Sequence, residues 1–361
     1  MQEMQGTGKG LPEPENFYLC PGQNPSGMVK HVSIQNFKSI KSLEFEARRV
    51  NIFIGGPNAG KSNILEAIST LGVDSIKFDN YRNIYRFRNT INLFYKNSTE
   101  EAIRIDADNH IALIIRKEEN FELYKGLTSS FRGNPEGVPP FRLELDNEGK
   151  WTSTTGFHFD SAKVRYYKFE PLVNSFTSQV NKYLLPPYGE NLPQLFGIFH
   201  NFQETVNDFV ENFGYKLLVD SASNTISLAE SITRGIVLSY PYQSISDTLQ
   251  RIIFYLAAIE SNKNAILLFE EPEANTFPYY TKQLAERIAA DESNQYFLVT
   301  HNPYFLNSLV QQTRIEDLNV FVTYMENYQT KVRKLSEDDF SKILDLDKEV
   351  FYNLDILGQN A

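Results

Sequence analysis

One glycine-rich segment constrains this chain more than any other feature. It fits the pattern G-x-x-x-x-G-K-[ST], with the fixed positions at Gly55, Gly60, Lys61 and Ser62. An apolar strand pattern over residues 50–54 leads into it, and a helical pattern over residues 64–71 leaves it. The glycines let successive N–H groups point at phosphate oxygens, and the helix adds its positive N-terminal end. The segment predicts a nucleotide phosphate-binding loop in an α/β fold.

Two side chains of this loop have predicted chemical roles. Lys61 is expected to reach the β- and γ-phosphates, and the Ser62 hydroxyl is expected to ligate Mg²⁺. The predicted nucleotide-binding residues of the loop are Gly55, Gly56, Pro57, Asn58, Ala59, Gly60, Lys61, Ser62 and Asn63.

Length, charge and cysteine content narrow the class of protein. With 361 residues, the chain can hold one large α/β domain with an insertion or two modest domains. Its net charge of −10 argues against coating DNA by bulk electrostatics but leaves room for a local basic groove. Cys20 is the only cysteine, so neither an internal disulfide nor a cysteine-based metal site can form. No apolar run has bilayer length and no leader pattern opens the chain, which predicts a cytoplasmic protein without membrane association.

A second candidate site element is an apolar run at residues 265–269 that ends in two acids. Such a run predicts a buried parallel strand, whose carboxyl end is where ligands bind in open α/β sheets. Glu270 is the predicted carboxylate on the Mg²⁺ side, and Glu271 is the predicted general base for the attacking water. The alternative is a solvated strand end.

Two further elements complete the candidate site. His301 follows another apolar strand pattern and could contact the terminal phosphate or the water; the alternative is a structural histidine. Ser246 and Asp247 begin a helix whose N-terminus could face a second protomer's nucleotide; the alternative is ordinary helix capping. The predicted catalytic residues are Lys61, Glu271 and His301.

The rest of the chain indicates one domain over residues 28–361, after a disordered tail or non-native extension at residues 1–27. An antiparallel β region is expected at about 100–170, and an inserted helical lobe at about 171–240, with Asn191 as a helix N-cap. Cations alternate with aromatic residues between Lys77 and Lys96. This stretch could be a nucleic-acid contact surface or an ordinary sheet segment with solvated basic residues.

These motifs, in this order, resemble the ABC-class ATPase heads of the SMC, RecF and OLD type, in the branch with an AAA-type ATPase core. The resemblance includes NFKSI at residues 36–40, the phosphate-binding (Walker A) loop, SDTLQR at 246–251, EEPEA at 270–274 (Walker B) and THNPYFL at 300–306. It implies a P-loop NTPase with a mixed central sheet, ATP and Mg²⁺ as cofactors, and an ATP-sandwich homodimer. Each site would combine one subunit's loop with the other subunit's helix at Ser246.

The sequence departs from the family pattern in three places. The glycine that normally follows the signature serine is missing, and Glu270 replaces an aspartate. No glutamine fits the family's Q-loop, for which Asn92 lies in roughly the right region. Without a coiled-coil arm or room for a nuclease domain after residue 325, a separate effector such as a nuclease or toxin is expected.

The leading hypothesis is a Mg²⁺-dependent ATPase that acts as a nucleotide-driven switch in DNA repair or anti-phage defence, with DNA as a possible partner. The second is an ATP-gated binding module with little hydrolysis. The third is the ATPase subunit of an ABC transporter, which the absent L-S-G-G-Q sequence disfavours.

Overall fold

The computed structural model describes residues 28–75, 81–128, 141–155, 163–171, 176–177, 181–220, 222–231 and 237–354. The tail at residues 1–27 and the basic residue Lys77 lie outside this described part. Within it, the strands form three sheets, of six, seven and three strands. The predicted α/β class with a mixed central sheet and an antiparallel β subdomain is confirmed. None of the helices in these ranges has the length and apolar character needed to cross a bilayer.

The strands, in chain order, are β1 (His31–Phe37), β2 (Ile40–Glu46), β3 (Val50–Gly55), β4 (Ile103–Ala107), β5 (His110–Lys117), β6 (Asn120–Leu127), β7 (Phe141–Leu145), β8 (Trp151–Thr155), β9 (Val164–Tyr167), β10 (Tyr215–Asp220), β11 (Thr225–Ser231), β12 (Val237–Pro241), β13 (Ile266–Glu270), β14 (Gln295–Val299), β15 (Leu318–Glu326) and β16 (Gln329–Lys334). The α-helices are α1 (Lys61–Ser69), α2 (Leu192–Ile198), α3 (His200–Glu211), α4 (Asp247–Ser261), α5 (Pro278–Ala290), α6 (Pro303–Gln312) and α7 (Glu337–Leu346).

The six-stranded sheet has the order β16-β15-β3-β14-β13-β9. Its strands pair in parallel except for the antiparallel β15–β16 pair. Val299 of β14 lies opposite both Phe53 of β3 and Glu270 of β13. The carboxyl ends of these three strands therefore meet at one edge, where open α/β sheets bind ligands.

β3 is buried on both faces because it lies between two hydrophobic cores. Since side chains alternate along a strand, Ile52 and Ile54 join a core with α4, α5 and α6. Phe53 points the other way and joins a core with α1 and the seven-stranded sheet. Each such fully buried side chain contributes roughly 1.5–3 kcal/mol of transfer free energy. The strand that leads into the loop is thus held from both sides.

The seven-stranded sheet has the order β2-β1-β4-β5-β6-β7-β8 and is antiparallel throughout. The predicted antiparallel region included residues 164–169. In the structure, β9 instead joins the six-stranded sheet in parallel with β13. A run of consecutive strands predicts neighbours in one sheet, but only long-range pairing decides which sheet the last strand joins.

The segment expected to be a helical lobe is helical only in part. It contains α2 and α3, followed by a three-stranded antiparallel sheet of β10, β11 and β12. Phe202 and Phe209 of α3 are buried in the core, whereas Phe213 after the helix is exposed. Asn191 precedes α2 but does not cap it with its side chain. Its amide oxygen instead accepts from the backbone N–H of Leu185 at 2.7 Å, because that buried donor has no helical partner.

The stretch of alternating cations and aromatics is not a sheet segment. Its described part forms short 3-10 helices at Tyr81–Asn83, Thr90–Leu93 and Tyr95–Asn97. Tyr81 and Tyr85 are buried and stack with their ring centroids 5.1 Å apart. The buried tyrosines Tyr81 and Tyr85 therefore serve packing, while Arg86 points into the site described below.

Candidate functional site

The loop between β3 and α1 has the backbone conformation that a phosphate cradle requires. Asn58 and Gly60 adopt left-handed conformations with φ of 57° and 94°. The Lys61 side chain is almost fully buried and folds back over the loop. Its ammonium group donates to the carbonyl oxygens of Gly55 at 2.9 Å and Gly56 at 2.8 Å.

Hydroxyl groups from other elements support the outer side of the loop. The Thr330 hydroxyl of β16 donates to the Ala59 carbonyl oxygen at 3.0 Å and lies 2.6 Å from the Ser39 hydroxyl. The Asn63 amide donates to Ser39 at 2.7 Å. These contacts fix the loop to β16 and to the turn between β1 and β2.

Replacing Gly60 by alanine is expected to destabilise the protein strongly. A Cβ atom there would stand 1.9 Å from the Thr330 hydroxyl oxygen. The left-handed backbone alone costs an alanine about 1–2 kcal/mol, and the overlap adds to it. Urea unfolding measures the effect. Gly56→Ala is the matched control, since a Cβ at Gly56 meets nothing within 4 Å; equal losses in the two variants would contradict the close contact.

The Glu270 carboxylate reaches the loop from β13. Its Oε1 accepts a hydrogen bond from the Ser62 hydroxyl and lies 3.0 Å from the Arg86 Nη2 atom. Its Oε2 accepts from the Tyr166 hydroxyl of β9 at 2.6 Å. Ser62 and Glu270, predicted from sequence to share a metal ion, are therefore in direct contact.

Glu271 and His301 face each other beside the loop. The His301 Nε2 atom lies 3.2 Å from Glu271 Oε1, and both side chains are about two-fifths exposed. Glu271 has a left-handed backbone, with φ of 46°, and its N–H donates to the Val299 carbonyl oxygen at 2.9 Å. A non-glycine residue in this conformation is strained, and such strain is concentrated at functional sites.

These groups line one cavity of about 610 Å³. Residues from seven parts of the chain surround it: Ser39, Pro57, Asn58, Ala59, Gly60, Lys61, Ser62, Asn63, Glu66, Ile84, Arg86, Tyr166, Lys168, Phe169, Arg251, Glu270, Glu271, Ala274 and His301. Seven of the nine predicted loop residues are among them, and Gly55 and Gly56 contribute the carbonyl oxygens that hold Lys61. The volume lies within the range of small-molecule sites.

Residues 50–307, more than two thirds of the chain, match the family described as "AAA domain, putative AbiEii toxin, Type IV TA system". The chain belongs to this AAA family. The match spans both the phosphate-binding loop and His301, so the chain is a P-loop ATPase, as the motifs predicted.

Individual relatives agree with this AAA-family assignment. An ATP/GTP phosphatase of Helicobacter pylori (strain ATCC 700392 / 26695) is 24% identical over an alignment of 361 positions, which covers 86% of this chain and 93% of the relative. The crystal structure of an SMC head bound to the C-winged helix domain of ScpA has a TM-score of 0.50 at 14% identity. That similarity covers 87% of this chain and 99% of the SMC head, and it confirms the fold.

In this AAA-family chain, burial sets the charge state of the loop lysine. Burial lowers the pKa of Lys61 to about 8, although the charges of Glu271 and Glu270 oppose the shift. Burial, reinforced by the Lys61 charge, also lowers the pKa of His301. Near neutral pH, Lys61 is therefore positively charged and His301 is neutral. The neutral imidazole can donate one hydrogen bond and accept another.

Glu270 stays ionised despite its burial. Burial alone would raise its pKa, but the hydrogen bonds from Ser62 and Tyr166 favour the charged form, and so does Arg86. The net effect holds the pKa of Glu270 below its ordinary value. The site therefore keeps a carboxylate in place next to the Ser62 hydroxyl.

The donor set fits Mg²⁺. The described residues contain no group of three or more His, Cys, Asp or Glu that could hold a metal ion alone. Ser62 and Glu270 offer two oxygen ligands. Mg²⁺ at nucleotide sites is usually held by only one or two protein ligands, and phosphate oxygens and water complete its coordination shell.

Sequence reasoning missed two partners of Glu270. Arg86 lies in the cation–aromatic stretch, whose composition signalled a charged surface rather than a site residue. Arg86 also pairs with the buried Glu66, 3.3 Å away, which Lys38 contacts from the other side. Tyr166 gave no signal, since an aromatic residue on a buried strand reads as core.

Three other candidates lie outside the cavity. The Asn92 side chain accepts from the Asn89 N–H at 2.8 Å in a local capping box, and Asn92 does not line the cavity. Ser246 caps α4 by accepting from the Leu249 N–H, and Asp247 pairs with Arg251 at 3.6 Å. Of this helix, Arg251 lines the cavity while Ser246 and Asp247 do not.

Glu273 is a buried acid in the turn after β13, two residues beyond Glu271, and it makes the stability of the protein depend on pH. Burial raises its pKa from 4.5 to about 7, against the opposing hydrogen bond from Thr300. Because the folded state holds the proton more tightly than the unfolded chain, this contribution to stability is complete below about pH 4.5. It is lost as the pH rises through 7.

In the Glu273→Gln variant, the free energy of unfolding is expected not to fall with this titration, because glutamine has no proton to lose. Its free energy of unfolding should rise relative to that of the parent between pH 4.5 and pH 8, by on the order of 3 kcal/mol. Urea titrations of both proteins across this range measure the difference. A constant difference across the range would mean that Glu273 titrates as an ordinary exposed acid does.

Proposed function

We propose that this chain is an ATP-binding and ATP-hydrolysing switch that uses Mg²⁺ and closes as a homodimer. The observation that carries the proposal is the contact between Ser62 of the loop and Glu270 of β13, beside Glu271 and His301. Groups for phosphate, metal and water chemistry, which come from distant parts of the chain, converge on one cavity. The name of the Helicobacter relative, an ATP/GTP phosphatase, supports the same chemistry.

Each residue of the cavity has a defined task in this proposal. The carbonyl oxygens of Gly55 and Gly56 hold the Lys61 ammonium group over the loop, from where it would turn to contact the phosphates. Mg²⁺ held by Ser62 and Glu270 would neutralise the charge that develops on the phosphates. Arg86 gives up its contact with Glu270 Oε1 and keeps its contact with Glu66.

Glu271 is the proposed general base. Its half-exposed carboxylate lies next to the loop, where it can accept a proton from water that attacks the terminal phosphate. His301, neutral near pH 7, would hold Glu271 in place or hydrogen-bond the terminal phosphate. Neither group needs another part of this chain to move into the cavity.

A homodimer explains the position of the α4 N-terminus. Ser246 and Asp247 lie outside the cavity of their own chain, although the helix end is suited to anion binding. A second copy could present this end to the nucleotide. The missing signature glycine would then make the approach less close.

The family description names a putative toxin of a type IV TA system, which supports a role in such a system. We propose that this role is anti-phage defence in the cytoplasm, beside a separate effector such as a toxin or nuclease. A role in DNA repair, with DNA as a ligand, is the alternative pathway for the same ATPase. Hydrolysis stimulated by duplex DNA would favour DNA repair, and stimulation by the product of a neighbouring gene would favour defence.

Hydrolysis of ATP and GTP, with and without Mg²⁺, tests the proposed activity. We expect Mg²⁺-dependent release of phosphate that is absent in the Lys61→Ala variant. A rate equal to that of Lys61→Ala under every condition, with nucleotide binding retained, would replace the proposal with an ATP-gated binding module. The three contacts that already hold Glu270 favour slow turnover and give that second candidate a physical basis.

A further inference from the structure

Glu273 is a carboxyl group that the proposed chemistry leaves without a role. It lies two residues after Glu271 and is only 3% exposed. Its Oε1 accepts a hydrogen bond from the Thr300 hydroxyl, while its Oε2 has no hydrogen-bond partner of good geometry among the described residues. A buried carboxyl oxygen without a partner costs stability, so its presence needs another explanation.

The contacts of Glu273 lead to the segment that carries His301. The Thr300 hydroxyl donates to Glu273 and accepts from the Asn302 N–H at 3.0 Å. The backbone N–H of His301 also favours the charged form of Glu273. Thr300 thus contacts this carboxyl group directly, and Asn302 is connected to it through the Thr300 hydroxyl.

Glu273 itself belongs to the turn that carries Glu271, so its side chain links this turn to the segment with His301. The Ala274 N–H donates to the Glu271 carbonyl oxygen at 3.0 Å, and the Thr276 N–H donates to the Glu273 carbonyl oxygen at 3.1 Å. Glu273 is therefore part of a rigid turn with Glu271 at its start. Its side chain crosses from this turn to the end of β14, where Thr300 begins the segment with His301.

From this geometry we infer that Glu273 is a positioning residue, which holds His301 against Glu271 through the Thr300 hydroxyl. The inference rests on the proposed function, in which Glu271 and His301 act together. In this inference, the hydrogen bond between Thr300 and Glu273 maintains the 3.2 Å distance between His301 Nε2 and Glu271 Oε1 without contacting either side chain. The pairing of β13 with β14 and the hydrogen bond from the Glu271 N–H to Val299 place the two backbones side by side. The contact between Thr300 and Glu273 adds a side-chain link between the two turns beyond that pairing.

Two threonine variants test the inference without a change in charge. Thr300→Val removes the hydroxyl group with little change in shape, and Thr300→Ser keeps it. We expect Thr300→Val to lower kcat by about 10- to 100-fold with an unchanged nucleotide Kd, and Thr300→Ser to restore most of kcat. Glu273→Gln, which keeps an acceptor for Thr300, should also retain most of kcat, unlike Glu273→Ala.

Thr313→Val is the matched control. Thr313 is also buried, and its hydroxyl has no hydrogen-bond partner among the residues that the structure describes. This variant should leave kcat unchanged. Equal losses of kcat in Thr300→Val and Thr313→Val, or no loss in either, would overturn the inference.

A second measurement does not depend on hydrolysis. The chain has five histidines, so NMR can follow the imidazole of His301 during a pH titration. The lowered pKa of His301 comes from burial and from Lys61, and it should rise toward the ordinary value in Thr300→Val as the ring gains freedom. An unchanged His301 pKa in Thr300→Val would overturn the inference. An inactive parent protein would overturn the proposed function alone, because this titration would still report on the contact.

Discussion

Replacing Lys61 by alanine is expected to weaken nucleotide binding by at least about 100-fold. The loss of a charged hydrogen-bond donor to phosphate costs roughly 3 kcal/mol or more in a buried site. Calorimetric titration with ATP, at constant Mg²⁺, measures the change. Lys282→Ala serves as the control, since Lys282 lies on the exposed side of α5 and pairs with Glu286 at 3.7 Å.

The same lysine predicts how nucleotide affinity depends on pH. Because its pKa is lowered to about 8, Lys61 is protonated below that pH and loses its charge above it. Only the protonated amine attracts phosphate, so the affinity for ATP should fall as the pH rises from 7 to 9. The Lys61→Ala variant should show no such fall. An affinity that is flat through pH 9 in the parent would mean that Lys61 does not carry the binding.

Replacing Glu271 by glutamine is expected to preserve ATP binding and to lower hydrolysis by about 10²- to 10⁴-fold. Glutamine has the same shape as glutamate but cannot accept a proton from water. A loss of about 10²- to 10⁴-fold is the effect expected when a general base is removed. Single-turnover and steady-state phosphate release measure the loss. Glu286→Gln on α5 is the control, because Glu286 lies outside the cavity.

The same variant tests the homodimer. If ATP closes the dimer and hydrolysis reopens it, Glu271→Gln with ATP should accumulate as a dimer in light-scattering measurements. Normal hydrolysis by Glu271→Gln would exclude this residue as the base. A monomer at every nucleotide concentration would exclude the dimer while leaving the ATPase intact.

The local parts of the site could be predicted from the sequence because each has a short-range cause. A glycine-rich turn between an apolar strand and a helix predicts a phosphate cradle, and apolar runs that end in Glu270 and His301 predict adjacent strand ends. These rules depend on residues close together in the chain. They identified the loop and the strand end at Glu270 separately. That the two meet, across 208 positions, followed from the metal-binding role predicted for both Ser62 and Glu270.

The missed parts depend on contacts between residues that are far apart. Arg86 meets Glu270 across 184 positions and Tyr166 meets it across 104, and no local pattern distinguishes either from ordinary surface or core residues. The sequence predicts Asn191 as a helix cap because of its position before an apolar helical pattern. In the structure its side chain instead accepts a hydrogen bond from the buried backbone N–H of Leu185. The sheet to which β9 belongs was decided in the same way, by parallel pairing with β13.

The contact of Thr330 with the loop has a consequence for synthesis of the protein. Thr330 meets the Ala59 carbonyl oxygen across 271 positions, so the cradle lacks its outer support until β16 has left the ribosome. Domains generally fold as units as they emerge, N-terminal parts first. A nascent chain therefore carries all the residues of its nucleotide loop long before it can hold them in shape, which delays ATP capture until β16 has been translated.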